Sequence, residues 1–207
     1  MAQDITAIIE NIQKSVEKVG KSGRDTVYLD NVSFRIDARR IDTPYGADRR
    51  AAEADFGWFL DCEDCDGMLP RPPVGSWWVN TFGEDAVPYG SSWDLLSVYD
   101  ALSSEDSHRR AILYNPDRPH PACIICYQFQ PVDHRVGGVH LDMTVTMRSS
   151  DVVNCLPQDV LMSQLLLHYV ADIMDMVPGW ITFNIANAHI YWEDVEVADE
   201  FDIDMPL

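Results

Sequence analysis

Residues 139–148, Val-His-Leu-Asp-Met-Thr-Val-Thr-Met-Arg, alternate apolar and polar side chains without a break. Val139, Leu141, Met143, Val145 and Met147 therefore share one face of an extended strand, and His140, Asp142, Thr144, Thr146 and Arg148 share the other. Arg148 leaves the sheet on its polar face. Upstream, Ala122 to Gln130 reads as a buried strand, with Gly137-Gly138 as the intervening turn. Downstream, Val160 to Val177 reads as a long apolar helix stopped by Pro178-Gly179, and Trp180 to Trp192 as a last strand with His189 and Tyr191 on one side.

The amino-terminal half is more helical in pattern. Ile5, Ile8, Ile9, Ile12, Val16 and Val19 recur at helical spacing, so residues 3–19 form an amphipathic helix that Gly20 and Gly23 end. Val27 to Ile36 reads as two short strands around a turn at Asp30-Asn31, and residues 47–60 and 93–103 as helices. Between them, residues 68–90 hold four prolines and the pair Trp77-Trp78, which suits an ordered loop or lid. This order predicts an α+β fold with a mixed sheet covered by helices. No internal repeat or linker divides residues 1–207, so a single domain is expected.

Charge narrows the partners. Against 34 acidic residues stand 15 Lys and Arg, a formal charge of −19 that repels nucleic acid and anionic membrane surfaces. An anionic small molecule is still compatible, because a pocket needs only a few converging cations. No apolar run approaches the roughly 18 residues of a membrane span, and residues 1–20 mix charges with apolar residues unlike a secretory signal. Five cysteines, an odd number, read as thiols in a reducing cytoplasm. Cys62 with Cys65 and Cys123 with Cys126 are both spaced as zinc ligands, but 57 residues separate the pairs, against a usual spacing of about 15–20. Cys123 and Cys126 also fall on opposite faces of a strand, so no metal site is expected. Asp61, Glu63 and Asp64 would raise the Cys62 and Cys65 thiols, which disfavours redox chemistry there.

Pro121-Ala122-Cys123, Gln128-Phe129, Met147-Arg148-Ser149-Ser150-Asp151-Val152-Val153, Asp159 and Ala188-His189-Ile190-Tyr191 occur in an order and spacing that resemble the thymidylate synthase superfamily. The likeness is greatest to its cytidylate branch, the deoxycytidylate hydroxymethylases. Upstream, Lys21-Ser22-Gly23, Trp58-Phe59-Leu60, Tyr89-Gly90 and the paired arginines of Asp106-Ser107-His108-Arg109-Arg110 extend it to roughly residues 20–195. On pattern alone Cys123 is a buried structural cysteine, Arg109-Arg110 a solvated pair, His189 and Tyr191 ordinary strand residues, and Asp151 a turn residue.

The resemblance implies more specific roles. Cys123 is the thiolate that adds to carbon 6 of a pyrimidine, which needs a nearby cation, and Arg148 on the adjacent strand is the candidate. Arg148 and Ser149 hold the nucleotide phosphate, with Lys21 where the family usually has Arg, and Arg109 and Arg110 reach the phosphate of a neighbouring subunit in a homodimer. His189 and Tyr191 hold a sugar hydroxyl. Asp151 and Trp78 contact the co-substrate 5,10-methylenetetrahydrofolate. Asp55 stands where the family's water-handling Glu lies three residues before its Trp.

Asp159 occupies a position that carries Asn in thymidylate synthases. A carboxylate there accepts from the 4-amino group of cytosine and shares a proton with nitrogen 3, whereas an amide suits uracil. The competing local role for Asp159 is to cap the long helix. Other departures are Ile124 in place of a frequent His, Pro157-Gln158 in place of Pro-Phe, and a short acidic tail of 16 residues after Tyr191. The expected activity is folate-dependent conversion of dCMP or CMP to its 5-hydroxymethyl product. The alternatives are methylation of dUMP, or a non-catalytic nucleotide-binding protein.

Overall fold

The computed structural model describes residues 4–62, 70–83, 87–104, 108–115, 122–134 and 138–198. Its centre is a mixed sheet in the order β1-β2-β7-β5-β4-β3, with β6 also paired to β7. These strands are β1 (Lys21–Ser22), β2 (Thr26–Asp37), β3 (Ile112–Tyr114), β4 (Ile124–His134), β5 (Gly138–Met147), β6 (Ser150–Asp151) and β7 (Val177–Tyr191). β7 runs parallel to β5 and β6, and the other pairs are antiparallel. The alternation of residues 139–148 appears as expected, with Leu141, Met143, Val145 and Met147 buried. Only Val139, at the open end of the strand, is exposed.

Helices α1 (Ile5–Val19), α2 (Arg49–Asp61), α3 (Trp77–Phe82), α4 (Leu95–Leu102), α5 (Leu156–Ile173) and α6 (Trp192–Ala198) complete the chain. Asp4 caps α1 by accepting from Ala7 N–H, and Ile5, Ile9, Ile12 and Val16 form its buried stripe.

Three sequence expectations are corrected. Residues 27–36 are one continuous strand, because Asn31 takes a φ of 57° that Asn tolerates while β2 stays paired with β7 on both sides of it. The proline- and tryptophan-rich segment contains α3, where Ser76 Oγ accepts from Val79 N–H and Gly83 at φ 92° ends the helix. Residues 68, 69 and 84–86 of that segment lie outside the described residues, as does Gly137. Finally, the long helix starts at Leu156, with Pro157 in the first turn where its missing N–H costs nothing, and ends at Ile173. Pro178-Gly179 belongs to β7. There a Cβ on Gly179 would lie 2.1 Å from Asp142 Oδ1, the atom that accepts from Trp180 N–H at 2.8 Å.

Two glutamines on α5 fix the segment that leads into α2. Gln164 brackets Asp42, accepting from its N–H and donating to its carbonyl, both at 2.9 Å. Gln158, fully buried, does the same for Asp48 at 3.1 and 3.4 Å, and Asp48 caps α2 through Ala51 N–H. The start of the helix carrying Asp55 is thus tied to the start of the helix carrying Asp159. Gln158→Leu is expected to destabilise the fold by about 1–3 kcal/mol by stranding the Asp48 backbone groups, read as a lowered urea midpoint.

Candidate active site

A gap in the sheet builds the first half of the site. Met147 at the end of β5 pairs with Ile185, and Ser150 at the start of β6 pairs with Ala188, so both strands follow β7. Arg148 and Ser149 fall between them and step out of the ladder. Arg148 N–H donates to the Cys123 carbonyl at 2.9 Å, and its Nε donates to Ala122 O at 3.1 Å. Its Nη1 donates to Ser149 Oγ at 2.8 Å, while Nη2 lies 3.7 Å and Ser149 Oγ 4.0 Å from Cys123 Sγ. Cys123 therefore has the cation that the sequence assigned to it. Yet burial and the Asp159 charge raise its thiol above the ordinary range, and Arg148 and Ser149 offset this only in part.

The second half is a pocket of about 370 Å³, including its open mouth, whose walls are Phe59, Trp77, Trp78, Tyr89, Trp93, Ile124, Tyr127 and Met162. Asp55 from α2 and Asp159 from α5 both face it. Asp55 is buried, and its Oδ2 accepts from Trp78 N–H at 2.9 Å. Asp159 sits in the first turn of α5, whose N-cap is Cys155, so the capping role is not the one it plays. Tyr89 joins the two halves, since its hydroxyl accepts from Ile124 N–H at 3.5 Å, next to Cys123. Behind it, Asn115 accepts from Trp93 Nε1 and donates to Ile124 O, both at 2.9 Å.

Burial, reinforced by the neighbouring charge of Asp151, pushes the Asp159 carboxyl up to about 7. The folded protein thus holds a proton here that the unfolded chain releases near pH 4. Its stabilising effect is fully present below that pH and is lost as pH rises through about 7. Asp159→Asn, which carries no such charge, is expected to raise Tm more at pH 8 than at pH 5, by an amount equivalent to about 1–4 kcal/mol. Thermal melts at the two pH values check this.

The third group of residues comes from the end of β7. Along this strand Ile181, Phe183 and Ile185 are buried, but then Ala188 and Ile190, a shift of phase opposite Asn31. Without it the buried series would continue through His189 and Tyr191. The shift puts those two on the other face, with their rings edge to face at 5.4 Å. His189 Nδ1 is buried without a partner among the described residues. Asp151 pairs with His189 across β6 and β7. Its carboxylate accepts from Val153 N–H, Asn154 N–H and Asn154 Nδ2 at 3.0–3.1 Å, and Asn154 Nδ2 also reaches Asp194 of α6 at 2.9 Å. The Tyr191 hydroxyl is raised by burial and then by Asp151, Asp25, Cys155 and Cys123.

The structure thus brings Cys123, Arg148 and Ser149 together, and Asp55, Trp78 and Asp159 together, with Asp151, His189 and Tyr191 alongside. Lys21 lies in the same cross-strand row as Tyr28 and His189, but it is exposed and ion-paired with Asp30 at 2.5 Å. Arg109 and Arg110 lie on an exposed single-turn 3-10 helix, His108–Arg110, away from the pocket. Sequence reasoning had no role for Phe59, Trp93, Tyr127, Met162 or Asn115. Among the described residues no group of three or more His, Cys, Asp or Glu is placed to hold a metal.

The family model described as thymidylate synthase matches residues 8–201. Over 131 residues the chain is 30% identical to the thymidylate synthase of Enterobacteria phage T4, an alignment covering 57% of this chain and 44% of that protein. The chain thus spans less than half the length of that curated relative. The crystal structure of the T4 phage thymidylate synthase superposes with a TM-score of 0.71 at 22% identity, covering 98% of this chain and 82% of that one, which shows a shared fold.

Proposed function

The chain belongs to the thymidylate synthase family, and from that premise we propose that it transfers a one-carbon unit to carbon 5 of a cytidine monophosphate, giving the 5-hydroxymethyl nucleotide. The observation that carries this proposal is Asp159, a buried carboxyl that lines the pocket and lies close enough for its charge to act on Cys123. Protonated, it donates to nitrogen 3 of cytosine and accepts from the 4-amino group. Ionised, it repels the 4-oxygen of uracil.

The chain's residues divide the work as follows. Cys123 adds through sulfur to carbon 6, and Arg148 at 3.7 Å stabilises the thiolate as it forms. Electron density moved into the ring raises the basicity of nitrogen 3, which takes the Asp159 proton and leaves carbon 5 nucleophilic. Arg148 and Ser149 bind the phosphate, together with Lys21 once it exchanges Asp30 for it. His189 and Tyr191 hold the sugar.

Methylenetetrahydrofolate, when bound, supplies the one-carbon unit. Trp77, Trp78 and Tyr89, which line the pocket, are the residues that would stack on its flat heteroaromatic ring. Asp151 accepts three of the roughly four hydrogen bonds a carboxylate can take, which leaves one for a ring N–H.

The working unit is a single catalytic domain in a homodimer formed through the polar sheet face of Ser33, Arg35, Thr144, Thr146, Thr182 and Asn184. In that dimer Arg109 and Arg110 serve the neighbouring subunit's phosphate. We place it in the cytoplasm; no helix of the described residues is long and apolar enough to cross a membrane.

Incubation with methylenetetrahydrofolate and each of dCMP, CMP and dUMP, with mass detection of products, tests the proposal. A hydroxymethyl product from dCMP or CMP is expected. Turnover of dUMP alone to a methylated product would replace it with the second reading, favoured by the T4 relative's name, of a thymidylate synthase. Failure to exchange the hydrogen on carbon 5 of any nucleotide would leave only nucleotide binding.

A further inference from the structure

Four consecutive carbonyls around Cys123 are held by two residues, one on each side. Arg148 takes the first two: its Nε donates to Ala122 O at 3.1 Å and its backbone N–H to Cys123 O at 2.9 Å. Asn115, the residue after β3, takes the next two: its Nδ2 donates to Ile124 O and its backbone N–H to Ile125 O, both at 2.9 Å. Oδ1 of the same amide accepts from Trp93 Nε1 at 2.9 Å, which fixes the end that faces Ile124.

The backbone that Asn115 holds is not regular strand. Ile124 opposes Met147 and Cys126 opposes Thr146, so Ile125 is one residue more than β5 can pair. The extra residue reverses the phase of β4. Tyr127 and Phe129 are buried, and plain alternation would bury Ile125 and Cys123 with them. Instead Ile124 is buried, Ile125 is 42% exposed, and Cys123 falls opposite Arg148 with its sulfur 3.7 Å from the guanidinium. The alternation that sets Cys123 on the face away from Cys126 is thus broken at Ile125.

We propose that Asn115 is a positioning residue for Cys123: by holding the bulge at Ile125 it turns the sulfur to the Arg148 side of the sheet. For catalysis this rests on the one-carbon-transfer reading above; the placement of the sulfur does not. In that reading Arg148 also has a phosphate to bind, whereas both ends of the Asn115 amide bond to the protein itself. Asn115 is therefore the half of the clamp that stays fixed when nucleotide enters. Without its Nδ2–H, Ile124 O loses a buried donor, and the regular register that would turn Cys123 inward competes with the bulge.

The test is Asn115→Leu, close to isosteric, read by iodoacetamide alkylation of each cysteine at pH 7 with peptide mass detection, and by tritium release from carbon 5 of dCMP and CMP. Alkylation of Cys123 is expected to fall about tenfold, as the sulfur loses its cation. The kcat for tritium release should fall about 10²-fold with nucleotide KM within about threefold, the mark of a misplaced reacting atom. Trp93→Phe removes only the bond to Asn115 Oδ1, so Cys123 alkylation there should stay within about twofold of the parent protein. An unchanged or faster Cys123 alkylation in Asn115→Leu overturns the proposal, as does an equal loss in Trp93→Phe, which would make the amide a support for that ring. Cys62 is fully buried and reports opening of the fold. Its alkylation in Asn115→Leu and in the milder Asn115→Asp alike would show the amide holding the whole fold, and would overturn the proposal too. Absence of tritium release in the parent protein would remove the transfer reading and leave the alkylation rates to decide the role of Asn115.

Discussion

Cys123→Ser is expected to lower tritium release from carbon 5 by about 10⁴-fold or more, the scale of removing a covalent nucleophile. The change is close to isosteric, and the hydroxyl remains within reach of Arg148 and Ser149, so the fold and nucleotide binding should persist. A hydroxyl is much harder to ionise than a thiol, and the surroundings that already raise the Cys123 thiol, burial and Asp159, act on it in the same direction. Nucleotide affinity measured by calorimetry, alongside tritium release, separates lost chemistry from lost binding. Release within tenfold of the parent would show that sulfur forms no bond to the ring.

Asp159→Asn should reverse the choice of base. The amide donates to the 4-oxygen of uracil and accepts from its N3–H, while against cytosine one rotamer sets two donors together and the other lacks a proton to share. The ratio of cytidylate to uridylate turnover is expected to fall by about 10²–10³, because nitrogen 3 of cytosine no longer receives a proton and no carboxylate charge repels the uracil 4-oxygen. In the parent protein kcat/KM for cytidylate should decline as pH rises through about 7, when Asp159 loses the proton it offers to nitrogen 3. The Asn variant should lack that limb. A pH profile unchanged by the substitution would assign the titration elsewhere.

What could be seen in the sequence follows from how local each signal is. Strict alternation marked β5 and left Arg148 at the polar edge, and family order set Cys123 beside it, where the two now meet. Helical spacing marked α1. Asp30-Asn31 has the chemistry of a turn, but pairing of β2 with a 15-residue neighbour overrode it. Pro178-Gly179 has the chemistry of a helix stop, and its actual work is to let Trp180 N–H reach Asp142.

Much of the candidate site was hidden for the same reason. Asn115 and Gln158 sit in no periodic pattern, and their value comes from backbone groups 9 and 110 residues away. The phase shift in β7 shows in residues 177–191 only as the adjoining Ile185-Ala186, and the Asn31 position opposite it belongs to a distant strand. The aromatic lining was visible as composition around Trp77-Trp78, but composition does not say which rings converge.

Gly90 shows how this wall is mounted. A Cβ there would lie 1.8 Å from the Phe59 carbonyl oxygen, so the turn carrying Tyr89 rests backbone against backbone on α2. A joint without a side chain cannot be loosened by trimming one. Rings around the chamber can therefore be exchanged singly over evolutionary time while its span stays constant, a route by which one scaffold acquires new substrates without being rebuilt.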